Sequence, residues 1–247
     1  MSKKLAEGVQ ALVLDVKFGS GAFMKTLGEA EALARALMDI GKRVGRQVVA
    51  LLTSMEQPLG RFVGNALEVE ECLQILSGQG AKFPDTTELS LALAGHMIFL
   101  GRKSPTPEAG VMLANELLSS QQALKKFESL CAAQGGHLER GLPRAKHTFT
   151  VKSDTAGHMH FVNVERLGSA AILLGAGRKQ QSDVLDPSAG IELLKRQGER
   201  VEVGTPLFRL LACDEARCKS ALAALGESFK ITAQPIATGP LIAKVLT

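Results

Sequence analysis

Two near-continuous apolar runs flank a single helix signature: Ala11-Leu-Val-Leu-Asp-Val-Lys17 on one side and Gln47-Val-Val-Ala-Leu-Leu52 on the other. Apolar runs of that length, without alternation, are the mark of strands covered on both faces, which is the situation inside a parallel sheet. Between them, Thr26 and Glu29 have the T-x-x-E spacing of a capping box and open a helix reaching about Ile40, with Gly41 as its stop. Strand, helix and strand in this order form a crossover unit, right-handed by default. The chain therefore begins as an α/β fold built on a partial parallel sheet with helices.

The remaining helices of this half follow from cap signals. Asn65 with Glu68 opens one, with Ala66, Val69, Leu73 and Leu76 along a single face. Asp85 with Glu88 opens another, running through His96 to about Gly101. Thr106, with Pro107 at the first helical position, opens a third. Leu117 to Cys131 reads as further helix, and residues 1–8 as the end of a helix stopped by Gly8. Composition changes across Gln134–Pro143, which is rich in glycine and polar residues and marks the expected boundary. Beyond it, His147–Val151, His158–Val162 and Ala170–Leu174 read as short strands, and Asp186 as the cap of a short helix over Ala189–Gln197. A turn and strand over Val201–Leu211, a helix over Glu215–Leu225 and a strand over Phe229–Ala233 complete an α+β domain of mostly antiparallel strands. The expected division is 1–140 and 141–247.

Composition narrows the function classes. Hydrophobic residues make up 45% and charged residues 22%, enough apolar side chain for a core and too much for disorder. Lys and Arg number 29 against 25 Asp and Glu, a net charge of +4 too small and dispersed for a nucleic-acid surface. Trp and Tyr are absent and Phe numbers ten, which also disfavours base-stacking platforms. No apolar stretch is long enough to cross a bilayer, and MSKKLAEG lacks the apolar core of a signal peptide. Cys72, Cys131, Cys213 and Cys218 lack zinc spacing and read as reduced thiols. These features together point to a cytoplasmic protein with neither nucleic-acid nor membrane partners.

Several local patterns admit two readings. Asp15-Val-Lys-Phe-Gly-Ser-Gly-Ala-Phe23 lies at the carboxyl end of a strand, where open α/β sheets bind ligands. Its glycines suit either an amide cradle for an anion, helped by Lys17, or a plain turn into the helix. The loop Met55–Gly64, followed by Glu68, Glu70 and Glu71, suits either an oxygen cage for a cation or a solvated acidic first turn. His158 and His160 share a strand face, as half a metal site or as polar edge residues. Gly175-Ala-Gly-Arg178 is too short for a dinucleotide fingerprint and reads as a hairpin turn.

Taken in order, the segments SKKLAEG (2–8), ALVLDVKFGSGAFM (11–24), LLTSMEQPLG (51–60), GNALEVEE (64–71), AAQGG (132–136), LLGAGR (173–178) and DPSAGIELL (186–194) resemble the thymidine and pyrimidine-nucleoside phosphorylase family. The resemblance implies a pentosyltransferase that cleaves a pyrimidine (deoxy)riboside with phosphate as co-substrate, releasing the base and a pentose 1-phosphate. It also implies a homodimer binding potassium, built from a small helical domain (here residues 1–8), an α/β domain and a C-terminal α+β domain. By the same resemblance Lys3 contacts the pyrimidine and Phe23 lines the base pocket. The carbonyls of Leu59 and Phe62, with the carboxylate of Glu71, hold the potassium ion weakly. No catalytic residue is assigned within this chain.

Parts of the family pattern lack a counterpart here: the glycine-rich phosphate loop, the histidine near the sugar and the arginine on the base. Met1-Ser2-Lys3 matches an internal M-S-K of the family. The resemblance therefore implies the C-terminal part of a phosphorylase, from a truncated form, an internal start or a split gene. Acting alone, such a chain would be inactive, and an N-terminal fragment would be its partner. A remnant that kept the fold without the chemistry is the alternative reading. Preference for thymidine or uridine is set by residues outside these segments.

Overall fold

A computed structural model describes every residue from Met1 to Thr247 except Lys179. The chain divides into two compact units that are discontinuous in sequence. The first holds Met1–Met55, Leu76–Leu124 and Gly239–Thr247, and the second Glu56–Ile75 and Lys125–Thr238. The segment 56–75 thus folds with the C-terminal half of the chain.

In the first unit, β1 (Ala11–Phe18) and β2 (Gln47–Ser54) pair in parallel, in register from Ala11 opposite Gln47 to Phe18 opposite Ser54. The expected crossover helix is α2 (Leu27–Arg43). Its capping box is complete. Thr26 accepts from the Glu29 N–H at 3.2 Å, and Glu29 Oε2 accepts from the Thr26 N–H at 2.9 Å. Those N–H bonds, from Thr26 and then Lys25, hold the Glu29 carboxyl below its ordinary range. Thr26→Ala should lower stability by about 1 kcal/mol, the usual cost of a lost cap, read as a lower urea midpoint with unchanged m-value.

Ala30 and Ala34, both fully buried, let α2 approach Val16, Ala50, Leu52 and Leu246 closely. Gly41 does not stop the helix, which runs on to Arg43. This glycine is buried where any Cβ would collide with Val48, so it serves packing instead. A strand not foreseen from sequence, β10 (Ile242–Leu246), pairs antiparallel with the other edge of β2. The helix α4 (Pro84–Leu100) packs against β1 and β2. It starts from Phe83 with Pro84 in its first turn, so Asp85 lies inside the helix instead of capping it. Its partner α5 (Pro107–Ser119) has the expected Thr106 cap, accepting from the Ala109 N–H at 3.2 Å. A left-handed Gln121 then separates α5 from α6 (Gln122–Ala133).

The second unit contains two antiparallel sheets. One has the order β3 (Phe62–Val63), β6 (Gly190–Leu193), β8 (Pro206–Ala212), β4 (His147–Lys152). The other has the order β7 (Arg200–Val201), β5 (Gly157–Phe161), β9 (Phe229–Thr232). The helices α7 (Val164–Leu174) and α8 (Glu215–Gly226) pack on each other and on the sheets. Phe208 and Leu210 of β8, Met159 of β5, Leu167 and Leu174 of α7 and Leu225 of α8 meet in one buried cluster.

Three expectations are corrected here. Ala170–Leu174 is the last part of α7 and not a strand. Asn163 caps that helix, accepting from the Arg166 N–H at 3.3 Å, and Val164, Leu167, Ala171 and Leu174 form its buried stripe. Gly175, at φ 110°, closes it as a left-handed cap, so the expected hairpin turn at 175–178 is a helix end. Ala189–Gln197 is not a helix. Asp186 Oδ1 instead accepts from the N–H and hydroxyl of Ser188, at 2.9 and 2.6 Å, in a turn leading into β6. Short apolar segments such as these fit a buried strand and a buried helix equally well, and packing decides between them.

Candidate functional site

In the first unit the carboxyl ends of β1 and β2 carry a polar cluster. Lys17 Nζ donates to Asp15 Oδ2 at 2.6 Å and to Thr53 Oγ1 at 3.1 Å, while the Thr53 hydroxyl donates to Asp15 Oδ1. Lys17 and Thr53 are register partners, so the parallel pairing itself brings the three together. Thr53 is fully buried and satisfied by this arrangement.

The turn after β1 settles the first open alternative. The amides of Gly19, Gly21 and Ala22 donate to Met24 O (3.1 Å), Met55 O (3.0 Å) and Gly19 O (3.0 Å). These three donors are therefore committed inside the protein, and the turn is not an anion cradle built from them. Gly19, at φ 114°, supplies the conformation that the turn requires. The same turn projects Phe23 outward, with 94% of the residue accessible. Lys3 is exposed on α1 (Ser2–Ala6), and its neighbour Lys4 lies 3.8 Å from Glu7 Oε1. Lys3 and Phe23 thus both belong to the first unit.

Leu59, Phe62 and Glu71 belong to the second unit, where the sequence brings them together through a glycine-shaped loop. The helix α3 (Asn65–Gln74) starts from Gly64, and Glu68 Oε1 accepts from the Gly64 N–H at 3.0 Å. Asn65 is inside the helix instead of capping it, and its side-chain amide donates to Ala176 O at 3.0 Å. Two turns along, Glu71 is 5% exposed and faces back to the loop. Its Oε2 accepts from the N–H groups of Arg61 (2.8 Å) and Phe62 (3.2 Å). Gly60, at φ 70°, is where the loop touches the carboxylate, because any Cβ there would overlap it.

Arg196, not singled out by sequence, reaches this loop from the turn after β6. Its Nη1 donates to Pro58 O at 3.0 Å and to Gly60 O. Beside it, Gln197 N donates to Gln57 Oε1 at 3.3 Å, and Gln197 Oε1 accepts from Phe161 N at 2.8 Å. The Gln197 amide also meets His160 Nδ1 at 2.8 Å, which engages one of the two histidines considered above. Among the described residues no group of three or more His, Cys, Asp or Glu is placed to hold a metal. Arg196 lies far from the loop in sequence and in no recognisable motif, so only the folded chain reveals it.

Three of the segments that carried the resemblance meet in this unit. Any Cβ at Gly190 would overlap Val63 O and approach Gly64 Cα to 3.2 Å, so GNALEVEE and DPSAGIELL touch through paired glycines. Ala66 N donates to Pro187 O at 2.9 Å, joining the same two segments. The Asn65–Ala176 bond adds LLGAGR.

Comparison with known proteins identifies the family. Residues 1–124 match the model of the glycosyl transferase family a/b domain, and residues 158–232 match that of the pyrimidine nucleoside phosphorylase C-terminal domain. A pyrimidine-nucleoside phosphorylase of Staphylococcus aureus (strain USA300) is 45% identical over 216 residues, covering 85% of this chain and 49% of its own length. That of Staphylococcus haemolyticus is 41% identical over 253 aligned residues, covering 100% of this chain and 57% of its own length. The chain spans about half the length of the curated relatives it matches. With both family models matched in order, the chain belongs to the pyrimidine-nucleoside phosphorylase family of glycosyl transferases.

Proposed function

We propose that the protein containing this chain is a cytoplasmic pentosyltransferase that cleaves a pyrimidine nucleoside with phosphate, giving the free base and a pentose 1-phosphate. The observation that carries this reading is the identity of 41% across the whole chain to a protein named pyrimidine-nucleoside phosphorylase. Glycosidic cleavage passes through an oxocarbenium-like state in which the departing base gains negative charge. An ammonium group placed at the base stabilises that charge more in the transition state than in the substrate. Lys3 is assigned this role. Phe23 is assigned the apolar wall of the base pocket, and its exposed ring offers a surface that a planar base can cover without competing hydrogen bonds.

The cation reading is carried by the loop of the second unit. Its donor set is all oxygen, a single buried carboxylate with backbone carbonyls, which suits a hard monovalent ion. The carbonyls of Pro58 and Gly60 accept from Arg196, and that of Arg61 accepts from Leu193 N at 2.7 Å. These residues fit potassium, with Leu59 O, Phe62 O and the Glu71 carboxylate as its ligands in this chain. When bound, the ion would add to the stability of the loop and take no part in bond cleavage.

Homodimer formation, or completion by an N-terminal fragment, belongs to the same proposal. The test is phosphate-dependent release of thymine or uracil by the chain co-expressed with the first half of the Staphylococcus aureus relative. Release that requires phosphate and both parts is expected, with none from the chain alone. A properly folded complex that releases no base overturns the reading in favour of a non-catalytic remnant.

A further inference from the structure

We infer that Arg196 is a positioning residue for the cation loop, which it sets in its ligating shape before any ion arrives. This inference rests on the potassium reading above. Three observations within the second unit carry it. First, one guanidinium nitrogen, Nη1, donates to both Pro58 O and Gly60 O, so alternate carbonyls of the loop are drawn to one side. Second, the opposite polarity of the same loop is held by the Glu71 carboxylate, which accepts from the N–H groups of Arg61 and Phe62. Third, Gly60 sits at the junction of the two clamps in a left-handed conformation, against the Glu71 carboxylate, where no side chain fits.

A fixed cation on the carbonyls and a fixed anion on the amides together determine the peptide orientations from 58 to 62. A loop without these clamps would lose conformational entropy on binding an ion, and here that loss is taken at folding. The bonds from Arg196 to these two backbone carbonyls are charge-assisted. Gln197 reinforces the placement, because its backbone N–H donates to Gln57 Oε1 and its side-chain Oε1 accepts from the Phe161 N–H.

The guanidinium also has a cost for a neighbouring cation, since like charges repel. Positioning and repulsion predict opposite responses, which makes the assignment testable. The melting temperature of the 247-residue chain would be followed against potassium chloride at constant ionic strength, balanced with choline chloride. The proteins compared would be the wild type, Arg196→Lys, Arg196→Met and Glu71→Gln.

Wild type is expected to be stabilised by potassium, and Glu71→Gln is expected to lose the response. Arg196→Met should raise the half-saturating potassium concentration about tenfold, the scale of one charge-assisted hydrogen bond. Arg196→Lys, whose ammonium can donate to both carbonyls, should restore most of the response. Amide exchange at Arg61 and Phe62 should be faster in Arg196→Met and near wild type in Arg196→Lys, with or without potassium. A wild type indifferent to potassium overturns the cation reading itself. A responsive wild type with an equally or more responsive Arg196→Met, or unchanged exchange at those amides, overturns the positioning role alone.

Discussion

Lys3→Ala, in a phosphorylase that contains this segment, is expected to slow the glycosidic step by about 2–4 kcal/mol, the usual cost of removing one preorganised donor to a developing charge. The loss should fall on kcat and on kcat/KM together, because the interaction is strongest in the transition state. Folding should barely change, since Lys3 is exposed on a single helical turn and makes no contribution to either core cluster. Lys4 is the internal control. Successive helical residues are about 100° apart, so Lys4 faces elsewhere, toward Glu7. If both lysines only favoured the helix C-terminus, each would contribute about 0.3–1 kcal/mol of stability and nothing to rate. Equal and small rate losses for Lys3→Ala and Lys4→Ala would remove the base-contacting role.

The largest stability loss is expected at Phe208. It is fully buried in β8, with its ring 5.1 Å from that of Phe229 and 6.3 Å from that of Phe161. These partners lie on β9 and β5, so this one side chain joins the two sheets of the second unit. Phe208→Ala should cost about 3–5 kcal/mol, combining lost transfer energy with the cavity left behind. Urea unfolding followed by a probe in the second unit should show this as a lower midpoint. Phe208→Leu, which keeps most of the volume, should cost clearly less. A loss for Phe208→Ala within the range of surface substitutions, about 0.5 kcal/mol, would show that the two sheets do not depend on this contact.

Where local chemistry is self-sufficient, the fold was legible in the residues. The Thr26–Glu29 box and the Thr106–Pro107 start each bring their own donors and acceptors, so the helices begin where their spacing says. The β1–β2 pair was legible because two unbroken apolar runs around one helix leave few alternatives. Ala170–Leu174 and Ala189–Gln197 were misread for a common reason. Each is a short apolar stretch whose periodicity fits more than one element, and packing against β8 and α8 settles both. The strand β10 was missed because it forms only once the edge of β2 is available to it.

The candidate site divides along the same line. Sequence by itself determined the family, through an ordered set of motifs, and with it the residues Lys3, Phe23, Leu59, Phe62 and Glu71 as those to watch. Glu71 lies in the second turn of α3, where helical phase turns its carboxylate back to the loop. Tertiary structure alone decided that segment 56–75 folds with the C-terminal half, and that Arg196 closes on the loop whose other side Glu71 holds. It also showed that Gly60, Gly64 and Gly190 mark close approaches and not merely turns. The physical reason is range: caps and strand runs are satisfied within a few residues, whereas the Arg196 contacts to the loop join groups more than a hundred positions apart, and no local preference encodes such a meeting.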